Sequence, residues 1–189
     1  MFAAILRTYI PRMNLRDAVA TDLVPISRLH ATSWRTAYRG ALSEQYLADQ
    51  VLSERSALWN ERLHRPKDHQ IVIVSDAGDT LLGFACAFVG EDPQWGSLLD
   101  NIHVAQAAWR QGLGSLLLAE IARRCSARKP DVGLHLWVLQ SNANAQRFYE
   151  ACGADRAGEG IWTAPDGSRI PEFRYAWPAG RLPHAAQRD

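Results

Sequence analysis

No stretch of the sequence is long and apolar enough to cross a bilayer as a helix. The opening MFAAILRTYIPR lacks both a long apolar core and a small-residue cleavage site after one, so it does not read as a secretory leader. Met13 begins a more regular segment. Residues 1–12 are read as an N-terminal extension, with Met1 and Met13 both open as the native start. Cysteine is scarce. Cys86, Cys125 and Cys152 are odd in number and show no C-x-x-C spacing, which fits unpaired thiols in a reducing, cytoplasmic compartment. Excess charge of one sign is also lacking. Lys and Arg number 21 against 20 Asp and Glu, a net +1, which argues against a general nucleic-acid binder. That balance does not exclude a small anionic ligand, which needs only local positive potential. Internal repeats and low-complexity linkers are absent, so the expectation is one domain over residues 13–178 with a flexible polar tail at 179–189.

What is present is an ordinary globular composition, 47% hydrophobic and 22% charged, on 189 residues, enough chain for a sizeable core. Met13–Ala18 predicts a first strand. Thr21 and Asp22 offer an N-cap for a helix carrying Leu23, Ile26, Leu29, His30 and Ser33 at helical spacing and stopping at Gly40. Ser43–Asp49 and Ser53–Leu63 predict two further helical pieces, each opened by a serine. Gln70–Ser75 and Leu81–Val89 flank Ala77-Gly78-Asp79 as a hairpin, and Trp95–Ala105 is a third long strand. A helix over Gly112–Ala127, a strand over Gly133–Leu139 and a helix over Asn142–Cys152 follow. A hairpin around Pro165-Asp166-Gly167 closes the chain. This order describes a mixed α/β layout around one sheet, not a repeated doubly wound pattern.

Two motifs carry the chemistry. Arg110-Gln111-Gly112-Leu113-Gly114-Ser115 joins a strand to a helix. Glycines let the backbone approach a ligand closely, and the first N–H groups of a helix lack internal partners and favour an anion. The turn is not the dinucleotide fingerprint, because the position for a third glycine is Leu117. Taken alone it also fits a plain strand-to-helix connection. The second motif is Asn142-Ala143-Asn144-Ala145-Gln146-Arg147-Phe148-Tyr149-Glu150. Asn142 is a good helix cap, and at ~100° per residue it shares a stripe with Ala145 and Tyr149. That helix too has a plain reading, as a capped amphipathic helix with Phe148 and Tyr149 in the core.

Together, in the order strand, G-x-G helix, strand, N-x-x-A-x-x-F-Y-E helix, the motifs resemble the GNAT superfamily of acyl-CoA N-acyltransferases. The resemblance implies an α/β (α+β) fold. Its mixed, mostly antiparallel sheet has about seven strands, is splayed between strands four and five, and is flanked by about four helices. It implies acetyl-CoA as the donor, no metal, and a primary amine on a small molecule or peptide as the acceptor; dimers are common in the superfamily. Gly112 and Gly114 match the pyrophosphate glycines, with Arg110, Gln111, Leu113 and Ser115 supplying backbone N–H groups. Ile102 and Val104 match the strand end that pairs with pantetheine, Asn142 the cofactor-contacting asparagine, and Tyr149 the tyrosine near the thioester sulfur. There are two departures: Trp109 stands where Gln or Arg is usual, and Gln106 where proline is common.

The reaction needs a neutral amine, a stabilised oxyanion and a protonated leaving thiol. An alkyl amine titrates near ~10.4, a thiol near ~8.5 and a phenol near ~10. Tyr149 is therefore the candidate general acid. Asp100 is the candidate base, because period-two alternation places it on one face with Ile102 and Val104; a water relay stands beside it. Alternation sends His103 to the other face as a structural histidine. Trp34 and Tyr38, with Trp59, form a helical face at the expected acceptor pocket or pack as core, and Trp95 and Trp162 are further candidates for a pocket or dimer surface. Two other readings share the motifs. One is transfer of a longer acyl group, or transfer to a protein amine. The other is a non-catalytic acyl-CoA sensor, against which Tyr149 speaks.

Overall fold

The computed structural model describes residues 14–184, so the expectations for residues 1–12, for Met13 and for the tail end at 185–189 lie outside the described residues. Seven strands form one sheet: β1 (Asn14–Asp17), β2 (Gln70–Ala77), β3 (Thr80–Asp92), β4 (Gly96–Val104), β5 (Leu134–Leu139), β6 (Asp155–Thr163) and β7 (Arg169–Trp177). Their spatial order is β1-β2-β3-β4-β5-β7-β6. Every neighbouring pair is antiparallel except β4 and β5. Four helices flank it: α1 (Leu23–Ala37), α2 (Val51–His64), α3 (Leu113–Arg128) and α4 (Ala143–Ala151). Both the mixed sheet and the helix number agree with the sequence reading.

The β4–β5 pair positions the site. It is parallel and registers only at Ser97↔Leu134 and Leu98↔His135. Past these pairs no ladder joins the two strands, and the sheet is splayed there. On one face, α3 and α4 cover a core of Leu99, Leu113, Leu117, Ile121, Leu136, Tyr149 and Trp177. On the other, α1 and α2 cover Ile26, Trp59, Val74, Phe84 and Phe88, with a second cluster of Trp34, Tyr46, Leu139 and Ile170. Beyond β7, Arg181 pairs with Asp155 and Leu182 packs against the core.

Two details of the helices differ from the sequence reading. A π-type turn at Tyr46–Gln50 runs straight into α2, so there is no break at Ser53. The Ser53 hydroxyl donates back to the Gln50 carbonyl instead of capping a new helix. Asp22 also does not cap α1 forwards. Its carboxylate accepts from Val19 N–H (2.8 Å) and from both terminal nitrogens of Arg16 (2.7 and 2.8 Å), tying β1 to the start of α1. The Arg16 guanidinium holds the Asp22 carboxyl below the usual carboxylate range. The stabilisation is thus complete above pH ~3.9 and is lost as pH falls through the lowered native value. Asp22→Asn is expected to lower unfolding stability at pH 7 by about 1–2 kcal/mol. In urea titrations the difference should shrink towards pH 2; an equal deficit at both pH values would refute the ion-pair account.

Candidate active site

The splay is bordered by strand edge and helix ends. Ala105 N–H donates to Leu82 O (2.8 Å). In an antiparallel ladder this turns the backbone groups of Val104, and by alternation those of Ile102, away from β3 and towards the splay. Those are the two residues expected to pair with a peptide-like arm.

Helices α3 and α4 both start beside this opening and treat their first turns differently. At α4, Asn142 Oδ1 accepts from Ala145 N–H at 3.1 Å, so the helix satisfies its own end. At α3, the N-cap is Gly112, in the left-handed region at φ 81°, with no side chain to cap. Arg110 is also left-handed, at φ 59°, and is the one non-glycine residue with positive φ among the described residues. No side chain therefore caps the first N–H groups of α3 among the described residues. Trp109 has a structural account. Its indole N–H donates to Val104 O at 2.8 Å, tying the turn to the end of β4, while the residue remains 52% exposed. Gly114 is held close to α4; a Cβ there would meet the Phe148 ring at 3.3 Å.

Tyr149 is 8% exposed and packs among Phe148, Tyr175 and Trp177. Its hydroxyl makes no hydrogen bond among the described residues. Burial, with smaller contributions from Tyr38 and Cys152, raises its pKa above the ordinary phenol value, so the phenol stays protonated at neutral pH. Cys152 is half-buried, 3.8 Å from the Ser115 hydroxyl, and all three cysteines are free thiols.

The expected placement of Asp100 is corrected by a β-bulge. Cys86 opposes Asn101 and Ala87 opposes Leu99, which leaves Asp100 as the extra residue. Ile102 and Val104 face the α3 side, while Asp100 reaches Arg62 of α2 on the opposite face (2.6 Å) and also accepts from Asn101. His103 lies opposite Ile102, as alternation implies, in ring contact with His30 (4.5 Å) and Phe84 (5.2 Å). Burial pushes its pKa down to about 3, so it is neutral.

On that same face Trp34, Tyr38 and Trp162 form an aromatic cluster, with ring centroids 4.8–5.9 Å apart. Trp34 is 5% exposed and lies beneath Arg55, whose Cζ is 4.1 Å from the ring centroid; Tyr38 and Trp162 are partly open. Trp59 is separate, fully buried and bonded through its N–H to His30 Nδ1 at 2.9 Å. Burial pushes the Tyr38 phenol up to about 12, and it also feels Arg55, Glu172 and Asp100. Tyr38 is likewise within electrostatic reach of Tyr149. Glu172 was not among the sequence candidates. Its signal is positional only: it opposes Leu139 of β5 and Gly160 of β6, and so shares the face of Trp137 and Trp162. Among the described residues, no cluster of three or more His, Cys, Asp or Glu is placed to hold a metal.

A sheet opened between its two parallel strands is the arrangement of the acyltransferase fold that the motifs resemble. The chain belongs to the acetyltransferase (GNAT) family, whose family model matches residues 30–154, and so to a class of acyl-CoA-dependent acetyltransferases. It is 26% identical over 168 residues to the uncharacterized N-acetyltransferase YuaI of Bacillus subtilis (strain 168), covering 88% of this chain and 93% of that one. Its fold is similar to that of the PaiA N-acetyltransferase from Thermoplasma acidophilum in complex with coenzyme A. The TM-score is 0.65 and the identity 18%, over 87% of this chain and 99% of the other. Arabidopsis thaliana NAA60 in complex with a bisubstrate analogue is also similar, with a TM-score of 0.66 and 15% identity over 88% and 98%.

Proposed function

We propose that the protein moves an acetyl group from acetyl-CoA to a primary amine by direct attack in a ternary complex. The observation that carries this reading is the loss of β4–β5 pairing after Leu98↔His135, at an opening that has the uncapped start of α3 at its rim and the Tyr149 phenol beside it. In the proposal, the backbone of Ile102 and Val104 pairs with pantetheine. The turn Arg110, Gln111, Gly112, Leu113, Gly114 and Ser115 holds the pyrophosphate, and Asn142 shapes the cofactor side of α4. The amine nitrogen attacks the thioester carbon, a backbone N–H near Val104 stabilises the oxyanion, and the C–S bond breaks as Tyr149 gives its proton to the departing sulfur. Trp34 and Tyr38 form the acceptor wall, and Asp100 accepts the amine proton.

The test is release of free CoA from acetyl-CoA over a panel of amines and peptides, run beside a thermal-shift titration with CoA. Absence of any melting shift with CoA would defeat the reading. A shift without turnover on any acceptor would favour a non-catalytic sensor.

The base has its own test. Asp100→Asn is expected to lower kcat/KM at pH 7 by about tenfold to a hundredfold. The deficit should narrow as pH rises towards the amine's own pKa near ~10.4, where less assistance is needed. A deficit that is the same at every pH would assign Asp100 to holding Arg62 instead.

A further inference from the structure

The α1–α2 face carries one half-buried carboxylate, Glu172, without a hydrogen-bond partner among the described residues. Three other acidic residues, on β4, α2 and β3, have partners. Asp100 is engaged by Arg62 and Asn101. Glu54 is engaged by Arg55 and by the Tyr46 hydroxyl at 2.7 Å. Asp92 accepts from the backbone N–H groups of Gln94 and Trp95. Glu172 is half-buried and makes no hydrogen bond or ion pair among the described residues. Arg174 on its own strand stabilises the carboxylate at a distance without an ion pair, its guanidinium being stacked between the Trp95 and Trp137 rings at 4.7 and 4.4 Å, and burial still holds the Glu172 pKa above the usual carboxylate value. A half-buried carboxylate with no direct ion pair gains from a further cation placed against it.

Its height along the sheet matters. Counting up β4 from Leu98↔His135, with the bulged Asp100 left out, brings His103 level with Leu139, and Leu139 opposes Glu172. Glu172 therefore stands level with the strand end at which the thioester is proposed to lie, on the face away from α3. Its surroundings are aromatic. Gly160 opposes it on β6, and a Cβ there would come within 2.9 Å of the Trp137 ring and 3.5 Å of Glu172 Oε1, so the Trp137 ring edge and the carboxylate sit side by side over that glycine. Tyr38 is within electrostatic reach, and its ring is 5.9 Å from that of Trp162.

We infer that Glu172 receives the ammonium group of the acceptor, and that the acceptor is a cationic primary amine on an apolar or aromatic body, without a carboxylate beside the reacting nitrogen. The inference rests on the N-acetyltransferase reading. The carboxylate draws in the charged amine, whose proton passes to Asp100 before the nitrogen attacks, the rings of Trp162 and Tyr38 wall its body, and a second negative charge next to the nitrogen is repelled.

The experiment measures kcat and KM by CoA release with aryl-alkyl amines, alkyl mono- and diamines, and free amino acids, for the wild type, Glu172→Gln, Glu172→Asp and Gly160→Ala. CoA affinity and melting temperature are recorded in parallel. The wild type is expected to favour the amines over the amino acids by at least tenfold. Glu172→Gln should raise KM for the best amine at least tenfold, with CoA affinity unchanged and melting temperature unchanged or higher, because an unpaired half-buried charge is removed. Glu172→Asp should recover part of the loss. Gly160→Ala, which pushes on Trp137 and crowds the carboxylate, should raise KM in the same direction. A preference for amino acids, or a Glu172→Gln enzyme within threefold of wild type on its best amine, overturns the inference and leaves the acetyltransferase reading standing. A protein that binds CoA yet acetylates none of the cationic amines also overturns it. Failure to bind CoA at all would instead remove the reading on which it rests.

Discussion

Tyr149→Phe is expected to lower kcat for acetyl transfer about a hundredfold, with KM for acetyl-CoA and melting temperature nearly unchanged. The burial of the ring and the isolation of its hydroxyl make this a clean measurement. The ring belongs to the core around Tyr175 and Trp177, and phenylalanine keeps that packing. The hydroxyl has no hydrogen-bond partner among the described residues, so its removal leaves no donor or acceptor stranded. A purely structural Tyr149 would thus give a variant equal to wild type in both turnover and stability. As a general acid, the phenol stays protonated across the working pH range because burial raises its pKa. Wild-type kcat should then show no loss of the acid below pH 9. The size of the effect is bounded by the leaving group: a thiol near pKa ~8.5 departs unaided far more readily than an alkoxide, so the loss should fall at the low end of the general-acid range. Unchanged turnover in Tyr149→Phe would mean that the thiolate leaves without this phenol.

The parts of the site that were legible in the sequence are those set by local chemistry. Gly112 and Gly114 announce a turn that side chains must vacate, and Asn142 announces a capped helix whose next turns carry Ala145 and Tyr149. Both motifs are short and need no knowledge of the rest of the chain. What escaped depends on pairing between distant strands. Period-two counting along Leu98–Val104 presumes an unbroken ladder, and the bulge at Asp100 is marked by no glycine or proline. One extra residue was enough to place Asp100 on the face of Arg62 instead of that of Ile102. Glu172 escaped for a related reason. Alternation on β7 shows that Glu172 and Arg174 share a face, but which face meets the acceptor depends on β7 lying between β5 and β6, a fact of sheet order. Ser53 misled in the opposite way, as a local signal for a helix start that the hydroxyl spends on the Gln50 carbonyl.

Gly112→Asp separates the proposed cofactor role of the turn from its structural role, because only the first responds to charge. Gly112 is left-handed at φ 81° and caps α3 without a side chain. Aspartate and asparagine are among the few residues that visit this region, so each should lower unfolding stability by a similar small amount, about 1 kcal/mol. The aspartate carboxylate, however, would stand where the pyrophosphate is proposed to sit. Two like charges ~4 Å apart near a protein surface repel by about 4 kcal/mol, and every 1.4 kcal/mol is tenfold in affinity. CoA binding should weaken by at least a hundredfold at low salt, and the gap should narrow as ionic strength rises and screens the repulsion. Gly112→Asn supplies the control: nearly the same shape and the same tolerance of positive φ without the charge, and an expected loss of less than tenfold. If Asp and Asn weaken CoA binding equally, the turn excludes side chains by shape alone. If neither weakens it, the first turn of α3 is not where the pyrophosphate binds, and the uncapped N–H groups that distinguish α3 from the self-capped α4 serve some other acceptor.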